Sequence, residues 1–169
     1  MPQPNAEPDD TGTRPLHDAV DVGNEDLRHF FNIWRLKKAQ GNFPHPHSID
    51  LLDFTDQAPR WSIIDVLNQG EGFFVRMCGT ETAKVIGADL TGHRLSANVS
   101  ELPGTAFQNR IAGMFHMVID TGGPVIFGPL ESSLEGREHM ILHSICLPFS
   151  EDGKTVSRII HALAVVNAS

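Results

Sequence analysis

The segment Val75–Gly92 (VRMCGTETAKVIGADLTG) constrains the fold of this chain more than any other stretch. It begins in an apolar, β-branched run, which predicts a strand over Phe73–Cys78. Gly79 and Thr80 follow, and Thr80 is suited to cap a short helix over residues 81–86 that Gly87 can close. The segment therefore predicts a strand, a turn and a short helix in immediate succession.

The rest of the chain predicts a mixed domain. Five apolar, β-branched runs indicate strands: Trp61–Leu67, Phe73–Cys78, Val125–Leu130, Glu138–Phe149 and Val156–Val166. A long helix is expected between the second and third strands, within Ser100–Gly123, because apolar residues there share one face and Gly122-Gly123-Pro124 ends the pattern. This order is typical of an α+β domain with a five-stranded antiparallel sheet and its helices on one face.

An amphipathic helix is predicted ahead of the strands, over residues 24–41. Asn24 is a favourable N-cap, and apolar side chains recur at i, i+3, i+4 and i+7, namely Leu27, Phe30, Phe31 and Trp34. Two interpretations of this stripe stay open. It docks on the domain's own sheet, or it forms the interface with a second copy or a partner protein.

Residues 1–23 contain four prolines and few apolar side chains, which predicts a disordered tail. The formal net charge of the chain is −8, and half of it lies in residues 1–24, which hold Glu7, Asp9, Asp10, Asp18 and Asp21 against Arg14. An acidic surface repels phosphate backbones and anionic lipids, so we expect binding to neither nucleic acid nor membranes. No signal peptide or membrane-spanning run is present, so we expect a cytoplasmic protein. The predicted organisation is a tail (1–23), a leading helix (24–41) and a core (42–166).

Four segments, in this order, resemble PAS domains, in particular the stand-alone bacterial proteins of the PAS_5 subfamily that are common in alphaproteobacteria. They are the leading helix with Trp34 and its connector through Pro44, the strand pair Trp61–Cys78, the stretch from Gly79-Thr80 to Gly92, and the turn Leu147–Gly153 (LPFSEDG). The resemblance implies the PAS fold and a non-catalytic sensory or interaction module in signal transduction. Such a module would bind a small molecule, a regulatory protein or both. A homodimer is also expected, because a helix before a PAS core often packs on a second copy.

Four side chains are candidates for contact with a small ligand: Arg76, His143, His161 and Met117. Arg76 alternates with apolar neighbours in its strand, so it is expected to face outward or to pair with a nearby acid, whereas an inward-facing Arg76 could bind a carboxylate ligand. His139 and His143 are four residues apart in a strand and share a face, but both faces of that strand are apolar, so the sequence does not say which one is core. His45 and His47 have no third ligand nearby, and no metal site is predicted.

Cofactor binding is the first alternative. Cys78 and Cys146 lie in apolar strands and are interpreted as buried free thiols. A flavin-binding light sensor would need a cysteine in a helical Asn-Cys-Arg-Phe motif, which the sequence lacks, so neither flavin nor a covalent chromophore is expected. Haem stays open, with His93 as its candidate ligand, because His116 on the long helix is predicted to face solvent.

A small enzyme in the same α+β cone is the second alternative. It would be recognised by titratable groups that converge in a pocket.

Overall fold

The computed structural model describes residues 12–38, 41–96, 105–131, 136 and 138–167. Seven strands and three α-helices follow one another there: β1 (Thr13–Pro15), α1 (Glu25–Lys38), β2 (Trp61–Leu67), β3 (Gly72–Cys78), α2 (Thr80–Ile86), β4 (Arg94–Ser96), α3 (Thr105–Thr121), β5 (Val125–Glu131), β6 (Met140–Phe149) and β7 (Arg158–Asn167). Among these helices, none combines the length and the apolar character that crossing a membrane requires.

The strands pair antiparallel into one sheet, in the order β1-β5-β6-β7-β2-β3-β4. The five predicted strands form its centre, and the α+β class is confirmed. The predicted count of five is wrong, because β1 and β4 each add a three-residue strand at an edge. Three residues are too few to show a period-two pattern, so only pairing with a neighbour reveals these strands.

Residues 12–23 are ordered, which corrects the disordered tail predicted for 1–23. Thr13 pairs with Phe127 of β5, and the chain then buries Leu16 and Val22 against the sheet. The low apolar content misled the prediction, because two buried side chains suffice where the backbone also pairs with a sheet edge. Residues 1–11 lie outside the described residues.

Different helices cover the two faces of the sheet. α2 and α3 pack on one side, which we call the inner face, against residues such as Phe73, Val125 and Ile159. α1 and the segment before it pack on the opposite, outer face, against Ile145 and Leu147 among others. β6 and β7, in the middle of the sheet, are therefore buried on both faces along most of their length, which explains why their sequences are apolar at most positions.

The predicted leading helix is present as α1, and Asn24 caps it by accepting a hydrogen bond from the amide of Leu27 at 3.0 Å. Its stripe faces the sheet: Leu27, Phe30, Phe31 and Trp34 are between 0 and 3 % exposed in the single chain. The interpretation of these four as a dimer or partner interface is therefore wrong. They dock on the domain's own sheet, because the outer face is itself apolar and needs a cover.

Two hydrogen bonds join the leading segment to the end of β6 and the turn that follows it. The indole Nε1 of Trp34 donates to the carbonyl oxygen of Pro148 at 2.7 Å, and the amide of Ser150 donates to the carbonyl oxygen of Pro44 at 3.0 Å. Within that turn, the Asp152 carboxylate accepts from the amides of Lys154 and Thr155 at 2.8 Å each. The motif segments at the two ends of the chain thus meet in one place.

Gly79 joins β3 to α2 where no larger residue fits. A Cβ there would lie 2.3 Å from the carbonyl oxygen of Pro59 and 2.7 Å from that of Trp61. Gly87 ends α2 with a left-handed φ of 87°. The short helix and its closing glycine are confirmed, although the N-cap is Gly79 rather than Thr80.

Candidate ligand-binding site

Four polar or thiol side chains form a row across the inner face. Ser62 of β2 pairs with Cys78 of β3 on one side and with His161 of β7 on the other, and His161 pairs with Cys146 of β6. Residues directly opposite in antiparallel strands share a face, with Cβ atoms about 5 Å apart. All four are at most 7 % exposed. His161 therefore lies in the middle of a buried polar row within an apolar layer.

Two small cavities adjoin His161, each of about 20 Å³. One lies between the sheet and α2 and α3, beside Thr82, Met114 and Ser144. The other lies beside Ser62 and Cys78. A cavity of this size holds about one water molecule.

His161 is neutral in the folded protein. Complete burial lowers the pKa of its imidazole to about 4, because desolvation penalises the charged ring. A neutral imidazole has one donor and one acceptor to offer. Burial also raises the pKa of the Cys146 thiol, so this cysteine stays protonated and is a poor nucleophile.

Thr82 adds a polar group whose bonding capacity is unused. The residue is 1 % exposed, and its Oγ1 has no hydrogen-bond partner among the described residues. A buried hydroxyl left without a partner costs about 1–3 kcal/mol. A small molecule bound in the cavity would supply such a partner.

His161 is the one predicted ligand residue that lines these cavities. Met117 is partly buried in the same layer, but it lines neither of them. His143 lies on the outer face, below residues 20–24. The sequence could not say which face of β6 is core because both faces are buried, each under a different layer.

Arg76 faces outward and pairs with an acid, the first of its two interpretations, so it does not act as a ligand residue of the inner layer. Its side chain is 56 % exposed, and its Nε donates to Asp65 Oδ2 at 2.8 Å. Asp65 also accepts from Nε of Arg158 at 3.1 Å. Arg76 thus links neighbouring strands at the surface.

The haem candidates are not directed at the cavities. His93 is exposed. His116 does not face solvent as predicted: its ring centroid lies 5.3 Å from that of Phe73, and its Nε2 is buried without a partner among the described residues. The prediction failed because the sheet covers more of α3 than the single stripe through Ile111 and Phe115 indicated.

Cavities of about 20 Å³ do not accommodate a porphyrin in this packing. In the ranges that the structure describes, no three His, Cys, Asp or Glu side chains gather closely enough to hold a metal ion.

Sequence reasoning missed Ser62, Thr82 and Ser144. Each interrupts or adjoins an apolar run, as in WSII and HSIC, and that interruption is the available signal. Their proximity to His161 depends on the register between distant strands and on the packing of α2, which the sequence does not show.

Comparison with known proteins now identifies the fold. A family model described as PAS domain matches residues 23–164. The chain belongs to the PAS domain family. The resemblance drawn from its four motif segments is confirmed, and with it the α+β PAS fold.

A solved structure of a sensory box sensor histidine kinase from Vibrio cholerae is similar over 70 % of this chain and 90 % of that chain, at 16 % sequence identity and a TM-score of 0.39. Among curated proteins, none matches. In this PAS domain the candidate site lies between the sheet and α2 and α3, and α1 lies on the far side of the sheet.

Proposed function

We propose that this PAS domain is a non-catalytic, cytoplasmic sensory module that binds a small polar molecule between the sheet and α2 and α3. The binding groups are the neutral imidazole of His161 and the hydroxyl of Thr82. The observation that carries the proposal is the Oγ1 of Thr82, which has no hydrogen-bond partner among the described residues and lies beside a cavity that His161 also lines. A ligand with a donor and an acceptor would satisfy both groups and recover the cost of burying them.

The size of the cavities limits the ligand. Each holds about one water molecule, so the ligand has few heavy atoms unless side chains move. Met114 lines one cavity, and a methionine changes rotamer at little cost. Small neutral molecules are favoured over ions, because the layer around His161 is apolar and no charged side chain lines either cavity in the described residues.

The signal would pass through β7. His161 faces the inner cavities, while its neighbours Ile160 and Ala162 belong to the outer layer with α1. Successive residues of a strand point to opposite faces, so a shift at His161 also moves the residues on which α1 packs. A ligand that prefers one packing of α1 would shift the population towards it. A regulatory protein, or a second copy of the chain, would then recognise the position of α1.

The enzyme alternative finds less support in the site. A general base needs an orienting partner, and no Asp or Glu lines the cavities beside His161 in the described part of the chain. The hydroxyls of Ser62, Ser144 and Thr82 and the protonated Cys146 thiol leave a site suited to binding rather than to proton transfer.

The test is to compare the mass of the purified protein under native and denaturing conditions. We expect a small additional mass under native conditions that denaturation removes. His161→Phe should lose this mass because it removes the polar partner at similar volume, whereas His93→Ala, at an exposed histidine, should keep it. Bare wild-type protein, or a mass retained by His161→Phe, would contradict the proposal.

A further inference from the structure

A larger cavity lies on the outer face of the sheet, at the end that α1 leaves open. Its volume is about 350 Å³, which falls within the range of small-molecule sites, about 300–1,000 Å³. Its floor is the outer side of β5, β6 and β7, and one wall is the segment before α1. We call it the outer groove; its lining comprises residues 20, 21, 23 and 24 of the wall and Pro129, Ile141, His143, Ala164 and Val166 of the floor.

His143 gives the outer groove a ring nitrogen to which no described residue is hydrogen-bonded. The residue is 7 % exposed, and its Nε2 is buried without a hydrogen-bond partner among the described residues. A Cβ built on Gly23 would lie 3.9 Å from Cε1, the ring carbon between Nδ1 and Nε2, so this end of the imidazole faces the wall of the groove. Because Gly23 has no side chain, it contributes only main-chain atoms to this contact.

The surroundings of His143 favour a neutral ligand. Burial, and then the positive charge of Arg14, lower the pKa of the imidazole, so the ring is uncharged near neutral pH. Asp21, with the opposite charge, lines the groove. Asp21 would repel a carboxylate and Arg14 would repel an ammonium group, whereas a hydroxyl carries no charge and is repelled by neither. A hydroxyl also donates or accepts, so it matches either tautomer of the ring.

Apart from Asp21, Asn24 and His143, the side chains that line the outer groove are apolar, and two of them are exposed to water. Val20 at its wall is 77 % exposed and Val166 at its floor is 56 % exposed, although both are large apolar side chains. Covering them would remove apolar surface from water, which is favourable. A ligand with an aliphatic body fits this lining.

We propose that the outer groove is a second ligand site, which binds a neutral amphiphile: an aliphatic chain along Ile141 and Val166 with a hydroxyl against His143. It is separate from the cavities at His161, because the sheet lies between them. Octan-1-ol is a suitable probe of this class, and octanoate and octylamine carry the same chain with charged heads.

The experiment is a titration of each probe into the full chain with ¹⁵N-labelled histidine, followed by NMR of the imidazole nitrogens. We expect octan-1-ol to shift the nitrogens of His143 in a saturable manner and to leave those of His161 unchanged. Octanoate and octylamine should bind at least about tenfold more weakly, because each brings a charge into a partly desolvated groove.

Two variants with a matched control locate the site. Val166→Glu places a carboxylate in the groove and should weaken octan-1-ol binding at least about tenfold. Leu52→Glu makes the same change at an exposed leucine, 78 % exposed, that does not line the groove, and should stay within about twofold. His143→Phe keeps a ring of similar size and should lose about three- to tenfold, the value of one hydrogen bond.

Three results would overturn the proposal: no saturable shift at His143, a charged probe that binds more tightly than octan-1-ol, or equal effects of Val166→Glu and Leu52→Glu. If His143→Phe does not fold, the pair at positions 166 and 52 still decides the question, since both of those side chains are exposed.

Discussion

Substitution of Trp34 by Phe tests whether α1 is an integral layer of this PAS domain. The change removes the donor to the buried carbonyl oxygen of Pro148, now 2.7 Å from the indole Nε1. An unsatisfied buried acceptor costs about 1–3 kcal/mol. The smaller ring forfeits about 1 kcal/mol of apolar burial. The sum is about 2–4 kcal/mol of unfolding free energy, or about 4–16 °C in Tm for a domain of this length.

Urea unfolding followed by circular dichroism measures this loss directly. Phe31→Leu is the matched control, because Phe31 lies on the same helix face, is 1 % exposed and has no polar atom. It should cost about 1 kcal/mol. A Trp34→Phe protein no less stable than Phe31→Leu would refute the reasoning, because the hydrogen bond to Pro148 would then contribute nothing.

Three further predictions concern the inner layer and its entry turn. Thr82→Val removes, at similar volume, a hydroxyl that has no hydrogen-bond partner among the described residues, so it should raise the unfolding free energy of ligand-free protein by about 1 kcal/mol and weaken ligand binding. Thr121→Val is the control, because the Thr121 hydroxyl donates to a carbonyl oxygen, and urea unfolding should show no gain in its stability. His161 has a folded-state pKa of about 4, below the usual 6.5, so only the unfolded state takes up its proton between those values. Stability should therefore fall by about 3 kcal/mol as the pH drops through this window, and unfolding of His161→Phe at pH 7 and pH 4 should show most of that dependence gone. Gly79→Ala should lower the unfolding free energy by more than about 3 kcal/mol or prevent folding, because its Cβ would overlap the carbonyl oxygen of Pro59. Gly113→Ala, where a Cβ on α3 meets no other atom, should raise the unfolding free energy by about 0.5–1 kcal/mol, and expression yield and Tm distinguish the two variants.

The five central strands could be predicted from the sequence because each is an apolar, β-branched run, and α1 and α3 because each is long enough to show its helical period. The short α2 was predicted from the residues at its ends, since Gly87 closes it. The stripe of α1 was recognised, but its partner was not, since an apolar stripe looks the same whether it meets its own sheet or another molecule. Burial of Trp34 against Pro148 settles that choice only once the strands are assembled. The edge strands β1 and β4 escaped prediction because they depend on pairing rather than on their own composition.

Of the residues that line the candidate site, only His161 was predicted from the sequence. His161 was named from its place in the last strand, but the same argument named His143, which lies on the other face. Arg76 was named because a guanidinium can bind a carboxylate ligand, but its side chain lies at the surface and pairs with Asp65. Thr82 and Ser62 were missed because hydroxyls are common in sequences, and only the cavities around His161 give these two a role.

The proposed sensory function depends on a small ligand that binds at His161 on the inner face of this PAS domain. The most direct measurement is an NMR spectrum of the imidazole nitrogens, recorded on ¹⁵N-histidine-labelled protein as purified and again after denaturation, dialysis and refolding. Removal of the bound ligand should shift the nitrogens of His161 and leave those of the exposed His93 unchanged. Identical His161 signals in the two samples would contradict it.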